Sequence, residues 1–277
     1  MKKFLSRLIK GKFKTIFKSL LESKLKNLSI RKLVIELEKN CLLGKKKEKI
    51  YLIPDEIITP YVLKNACWDY EIIQFIKKYI RNNNNIFIDI GANVGLITKQ
   101  LLVSNIKIKK YLCFEPDKNT FECLKENLSN NNIISTYNYG LGLKTKSLKL
   151  YKNKMNSGDS SFVKKSRIYE ICKMNNINSF LKKNYKIIYN NNLIYKSDTQ
   201  GMDEELFIGL QDKYFKKIKI AIIEITNHKF IAKNYKKFFS KIKLFNKLYD
   251  KKLNKITINQ IRNRVKNKEE FDLLMSR

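Results

Sequence analysis

Between Ile86 and Leu96 the chain reads IFIDIGANVGL, an apolar run that breaks into Asp89-x-Gly91-x-x-x-Gly95 and passes into a helical pattern. Glycines at this spacing, set before the free N–H groups of a helix start, make a backbone cradle. One glycine turns with positive φ and the other lets a ligand approach the main chain. Glu115 closes a second apolar run at 111–114, twenty residues past Gly95. That is about where α/β folds carry the acid that holds ribose hydroxyls. A dinucleotide site uses G-x-G-x-x-G to bring the main chain onto a pyrophosphate, but here Asn93 and Leu96 stand at the second and third glycine positions. The wider loop suits a nucleoside without phosphates, which points to S-adenosylmethionine as cofactor.

A candidate base for the other half of such a reaction lies in YKSDTQG, residues 195–201. Asp198 follows the fourth predicted strand, which this topology sets beside the first at the switch point where ligands bind. It can take or orient a hydroxyl proton, with Lys196 and Gln200 as neighbours, or it can cap the following helix. His228, the single histidine, follows the fifth strand in EITNH and is the second candidate base, since imidazole titrates near neutrality. Glu224 stands inside an apolar strand, where a carboxylate needs a partner.

The elements that must hold these residues alternate. Strands are expected at 86–90, 111–114 and 133–139, with helices at 96–103 and 120–128 between and after the first two. Strands at 193–196 and 219–225, a helix at 204–210 and a last strand at 272–275 follow. Strand-helix alternation means a mostly parallel sheet with right-handed crossovers, flanked by helices. Ahead of it, residues 2–28 carry apolar residues at helical spacing with lysines between them. This basic amphipathic helix either packs on its own domain or lies on an anionic membrane or a partner. The domains expected are a basic helical extension at 1–60 and a catalytic domain at 61–277, the boundary set by Pro54 and Pro60.

The formal charge of +33 ordinarily suggests nucleic acid or anionic lipid. The excess is 51 lysines against 7 arginines, whereas sequence-specific nucleic-acid readers favour the bidentate arginine fork. It therefore describes a solvated lysine surface, and no specific nucleic-acid partner is expected. Five cysteines without a C-x-x-C spacing indicate neither a zinc cluster nor a disulfide framework, so no metal is expected and a reducing cytoplasm fits. No run reaches the roughly 18 apolar residues of a membrane span. A cytoplasmic protein, peripheral at most, is expected.

Taken together, FIDIGANVGLITKQLL, FEPDKNTFECLKENL, SGDSSF, KSDTQGMDEEL and AIIEI, in that order, resemble the FkbM-type family of S-adenosylmethionine-dependent methyltransferases. The resemblance covers about residues 68–225, with a weaker echo in the terminal EFDLLMSR. It implies the class I methyltransferase (Rossmann-like) fold and O-methylation of a sugar, glycan or secondary-metabolite hydroxyl. It assigns Asp89, Gly91, Asn93, Gly95 and Glu115 to the cofactor. Glu71, Ser157, Ser161, Lys196 and Gln200 go to the substrate side, with Asp198 among them. Ser197 and Asn178 depart from the family pattern and bear on substrate detail. Two rivals stand beside this reading. An RNA methyltransferase is disfavoured because the chain lacks both N/D-P-P-Y/F and a Pro-Cys nucleophile. The other is a non-catalytic membrane-associated protein with a vestigial cofactor fold.

Overall fold

The computed structural model describes residues 33–36, 42–44, 48–129, 131–153 and 155–277. The predicted helix at 2–28 lies outside them. Strands β1 (Leu33–Glu36) and β2 (Lys49–Leu52) form an antiparallel pair. Helices Ile58–Asn65 and Tyr70–Tyr79 lead from it to the main sheet.

Strand β3 (Asn85–Ile90) is buried from end to end, as a branched apolar run must be when helices cover both faces of a sheet. Its side chains alternate between two cores. Ile86, Ile88 and Ile90 join one that includes Tyr195 and Phe207, while Phe87 joins Ile76, Ile97 and Leu101 on the opposite face. Helix Leu96–Val103, strand β4 (Lys110–Phe114), helix Lys118–Asn127 and strand β5 (Ile134–Tyr137) continue the alternation.

The chain then departs from the predicted pattern. The strand expected to run to residue 139 stops at Tyr137, and Asn138 turns its amide back to donate to the carbonyls of Glu115 (3.0 Å) and Pro116 (3.2 Å). A separate three-stranded sheet follows, built from β6 (Gly140–Gly142), β7 (Lys146–Tyr151) and β8 (Tyr169–Asn176) in the order β6-β8-β7. A 3-10 turn at Ser157–Asp159 lies between β7 and β8.

The main sheet resumes with β9 (Asn192–Ser197) and β10 (Ile218–Ile225), parallel to β3, and closes with β11 (Lys247–Asp250) and β12 (Phe271–Ser276). Its order is β11-β12-β10-β9-β3-β4-β5, with β12 antiparallel to both neighbours. This is the class I methyltransferase architecture, a mostly parallel seven-stranded sheet flanked by helices. The chain runs outward from β3 through β4 to β5 and then returns to β9 on the other side. The crevice therefore opens at the carboxyl ends of β3 and β9.

The expected boundary at residue 60 falls inside a packed cluster. Leu43, Ile50, Leu52, Ile58 and Val62 are buried together with Val94, Leu96 and Cys123 of the sheet domain. Polar bonds reinforce this contact, since the side chain of Asn127 accepts from Tyr51 N–H (2.7 Å) and donates to the carbonyls of Tyr51 (2.7 Å) and Val94 (2.8 Å). Among the described residues no helix is long and apolar enough to cross a membrane.

Candidate active site

Both loop glycines are required by the protein's own packing. Gly91 has φ +72°, and a β-carbon there would stand 1.9 Å from the Asp198 carbonyl oxygen. The end of β9 crosses directly over it, with Asp198 N–H bonded to the Ile90 carbonyl at 3.0 Å. Gly95 has φ +85°, and its β-carbon would meet Leu124 at 2.7 Å. The absent side chains make room for protein atoms, where spacing alone suggests room for a ligand. The N–H groups of Gly91 and Ala92 both bond the Phe114 carbonyl, at 3.1 and 2.9 Å, which ties the loop to the end of β4.

Asn93 is the loop residue that meets the predicted ribose acid. It adopts a left-handed φ of +51°, and its N–H donates to Glu115 Oε2 at 2.9 Å. Glu115 Oε1 accepts from Asp117 N–H at 2.9 Å. Burial pushes the Glu115 carboxyl up to about 8, although the two backbone N–H bonds and Lys196 pull the other way.

Asp89 is fully buried and lies behind the cavity wall. One oxygen sits 3.0 Å from Lys196 Nζ and the other accepts from Thr98 Oγ1 at 2.9 Å. Lys196 Nζ in turn donates to the Gly91 carbonyl at 2.9 Å and lies 3.9 Å from Asp198 Oδ2. Burial alone would lower the Lys196 ammonium, but Asp89 and Asp198 outweigh it and hold the group above its ordinary value. Asp89 thus positions Lys196, and Lys196 links the glycine loop to Asp198.

Gly91, Ala92, Asn93, Glu115, Lys196 and Asp198 line a cavity of about 220 Å³ at the carboxyl ends of the parallel strands. On its far wall Gln200, at φ +54°, donates its amide to Asp198 Oδ1 (3.2 Å) and to Glu224 Oε1 (3.1 Å). Asp198 does not cap the next helix. The helix Asp203–Gly209 has no side-chain cap at all; Asp203 holds the turn before it, accepting from Thr199 N–H at 3.0 Å and from the Ser197 hydroxyl, and the Asp198 carboxylate faces the cavity. Three further residues complete this wall. Lys251 Nζ bridges Asp69 (2.9 Å) and Asp272 (3.1 Å), and all three line the cavity beside Trp68. The Trp68 main chain is held by the fully buried Gln100, which donates to its carbonyl at 2.5 Å and accepts from its N–H at 3.1 Å.

A model of the methyltransferase FkbM domain matches residues 89–252. The chain belongs to the FkbM methyltransferase family. Among solved structures it is similar to the FkbM methyltransferase of Methylobacillus flagellatus, at 14% identity and a TM-score of 0.43. That likeness covers 76% of this chain and 48% of the other, so the chain spans about half the length of that protein. It is also similar to a Clostridium thermocellum protein provisionally described as an rRNA methylase, at 11% identity and TM-score 0.37, covering 74% of this chain and 95% of that one. A third is a Pyrococcus horikoshii protein provisionally described as an RNA methyltransferase, at 13% and 0.34, covering 95% and 99%. A search of curated protein sequences finds no match.

The FkbM match takes in Asp89, Glu115, Asp198, Glu224 and Lys251, and leaves Asp69 and Asp272 outside it. The serine motif enters the cavity from the small sheet. Ser157 lines it and donates from both N–H (3.1 Å) and Oγ (2.6 Å) to the buried Asp55. Gly158 lies beside Asn93, where a β-carbon would stand 3.7 Å from the Asn93 amide nitrogen. Ser161 is set behind the wall, its hydroxyl donating to the Gln200 carbonyl at 2.6 Å and accepting from the N–H groups of Val163 and Lys164. It shapes the left-handed turn that aims Gln200. Glu71 faces an adjoining shallow depression with Tyr61, Trp68 and Lys252. Gly95 and His228 do not line the cavity. Both His228 ring nitrogens are buried without a partner, and burial lowers its pKa. The spacing of motifs finds Glu115 and Asp198 but misses Asp69, Lys251 and Asp272, which meet only through the fold. The one sequence signal for Asp272 is a carboxylate in an otherwise apolar final strand.

Proposed function

We propose that the protein is an S-adenosylmethionine-dependent O-methyltransferase acting on a hydroxyl of a sugar, glycan or secondary metabolite. The observation that carries this reading is one cavity with two unlike walls. The Asn93 turn and the buried Glu115 stand on one side, and the Asp198–Gln200–Glu224 group on the other.

The first wall fits the cofactor. Glu115 would accept ribose hydroxyls, and Ile58, Leu96, Ile97 and Leu141 give apolar surface for a purine. When bound, S-adenosylmethionine supplies a methyl group already activated on a sulfonium. The protein then has to align an acceptor oxygen, exclude water and take a proton. Alignment alone is worth on the order of 7 to 11 kcal/mol in well-oriented reactions. Asp198 is the group for the proton. Its carboxylate is 39% exposed, open to an acceptor, and Gln200 fixes its direction. A positioned base contributes typically 10²- to 10⁴-fold.

Calorimetry with S-adenosylmethionine tests the cofactor. Transfer of a labelled methyl group into a fractionated glycan, lipid and RNA extract tests the acceptor. Label in the glycan fraction is expected. Tight NAD binding without a response to S-adenosylmethionine, or sequence-selective labelling of RNA at physiological salt, overturns the reading.

A further inference from the structure

Three neighbouring strands bring three carboxyls to one level. Glu224 on β10 is paired in register with Asp272 on β12. On its other side Ile223 pairs with Ser197, the residue before Asp198. Like charges in adjacent strand positions are destabilising, so each carboxyl needs a counter-charge or a proton. Asp272 has Lys251 at 3.1 Å, and Asp198 has Lys196 at 3.9 Å. Glu224, between them, makes its hydrogen bond to the neutral amide of Gln200, and among the described residues no cation lies within ion-pair distance of it.

The amide also fixes where a proton belongs. Lys164 Nζ, a donor only, lies 3.1 Å from Gln200 Oε1, so the opposite end of the amide is the NH₂ that faces the two carboxyls. Glu224 Oε1 therefore accepts, and a proton carried by this carboxyl would sit on Oε2. That oxygen is buried with no partner, in a residue that lines the cavity. An orphaned buried donor is costly unless a ligand completes it. Burial and the surrounding Asp198, Asp203 and Asp272 carboxyls push Glu224 up to about 9, opposed by the Gln200 amide, with Lys164 the cation facing it across that amide.

We propose that Glu224 is an acceptor-recognising residue whose Oε2–H donates to an uncharged oxygen adjoining the hydroxyl that meets Asp198. The site would then select a neutral polyhydroxy or hydroxy-ether compound. An ammonium group is disfavoured, because donor would face donor and the acids beside Glu224 already hold lysines. The proposal rests on the methyltransferase reading above and names the acceptor class for the same site.

The test has two arms. In protein carrying ¹³C at glutamate Cδ, the NMR signal lost in Glu224→Gln should be that of a protonated carboxyl at neutral pH. A signal already ionised there overturns the proposal, whatever the cofactor does. The second arm measures methyl transfer to simple methyl glycosides, to their deoxy counterparts lacking one neighbouring hydroxyl, and to amino glycosides. Glu224→Gln keeps a donor, so its KM for the intact glycosides should stay well below that of Glu224→Leu. Glu224→Leu should raise KM for the intact glycosides about tenfold with little change in kcat, to the level of the deoxy probes in the unaltered protein. Preference for amino glycosides, or no labelled glycoside despite bound cofactor, overturns the acceptor class. Failure to bind S-adenosylmethionine in calorimetry would instead strike the methyltransferase reading, and the ¹³C measurement stands apart from it.

Discussion

The two walls of the cavity are built by different means. The wall proposed for the cofactor is mainly backbone, with Gly91, Ala92 and Asn93 each spending an N–H on the end of β4 or on Glu115. The wall proposed for the acceptor is side chains, with Gln200 and Lys251 each bridging two acids from separate segments. A backbone wall tolerates few substitutions because changing it moves the fold. A side-chain wall can be rewritten one residue at a time, which is where acceptor specificity can diverge within a family.

The sharpest challenge to this contrast is Gly91→Val. With a β-carbon 1.9 Å from the Asp198 carbonyl and a positive φ, the variant should lose cooperative thermal unfolding by circular dichroism. A well-folded Gly91→Val that merely fails to bind cofactor would mean that this glycine faces the ligand after all. Asp198→Asn comes next. Asparagine can still accept from Gln200, so fold and cofactor affinity should hold while methyl transfer falls by roughly 10²-fold or more. Near-normal turnover would remove Asp198 from the chemistry.

A smaller effect is expected from Glu115→Ala, which, measured above about pH 8 where the carboxyl is ionised, should weaken S-adenosylmethionine by about 1.5 to 3 kcal/mol in calorimetry, the range for hydrogen bonds to charged groups. Glu115 also predicts a pH dependence. Its folded value, about 8, lies above the ordinary 4.5, so the folded state holds a proton that the unfolded chain releases. The stability tied to that proton is complete below about 4.5 and lost as pH rises to about 8. Melting temperature against pH should be flatter across this window in Glu115→Gln. An unchanged slope would show the carboxyl titrating normally. Least of all for the cofactor, Lys251→Met should act through Asp69 and Asp272, which lose their counter-charge at 19% and 20% exposure and so lower the melting temperature. Its effect should appear in acceptor KM, with cofactor affinity unchanged. A loss of cofactor binding instead would erase the distinction between the walls.

The same division explains what could be read from the sequence. The parallel strands declare themselves as apolar runs between turn residues, and β3, β4, β9 and β10 begin and end within a residue or two of expectation. The small sheet of β6, β7 and β8 does not. Its outer face carries exposed Tyr169, Ile171 and Lys173, so the alternation of apolar and polar residues is blurred. In KSDTQGMD both Asp198 and Asp203 can cap a helix by residue type. In the fold neither does: Asp203 is buried against Ser197 and Thr199, the helix goes without a side-chain cap, and Asp198 lines the cavity. The Asp69–Lys251–Asp272 bridge joins residues with no common motif and was beyond any local reading.

The Asn127 side chain, bonded to Tyr51 and to Val94 at once, couples the seating of β2 to the loop that carries Asn93. By reciprocity of linkage, a ligand that binds more tightly when Asn127 holds this loop also shifts residues 49–52, which lie outside the cavity, toward their seated state.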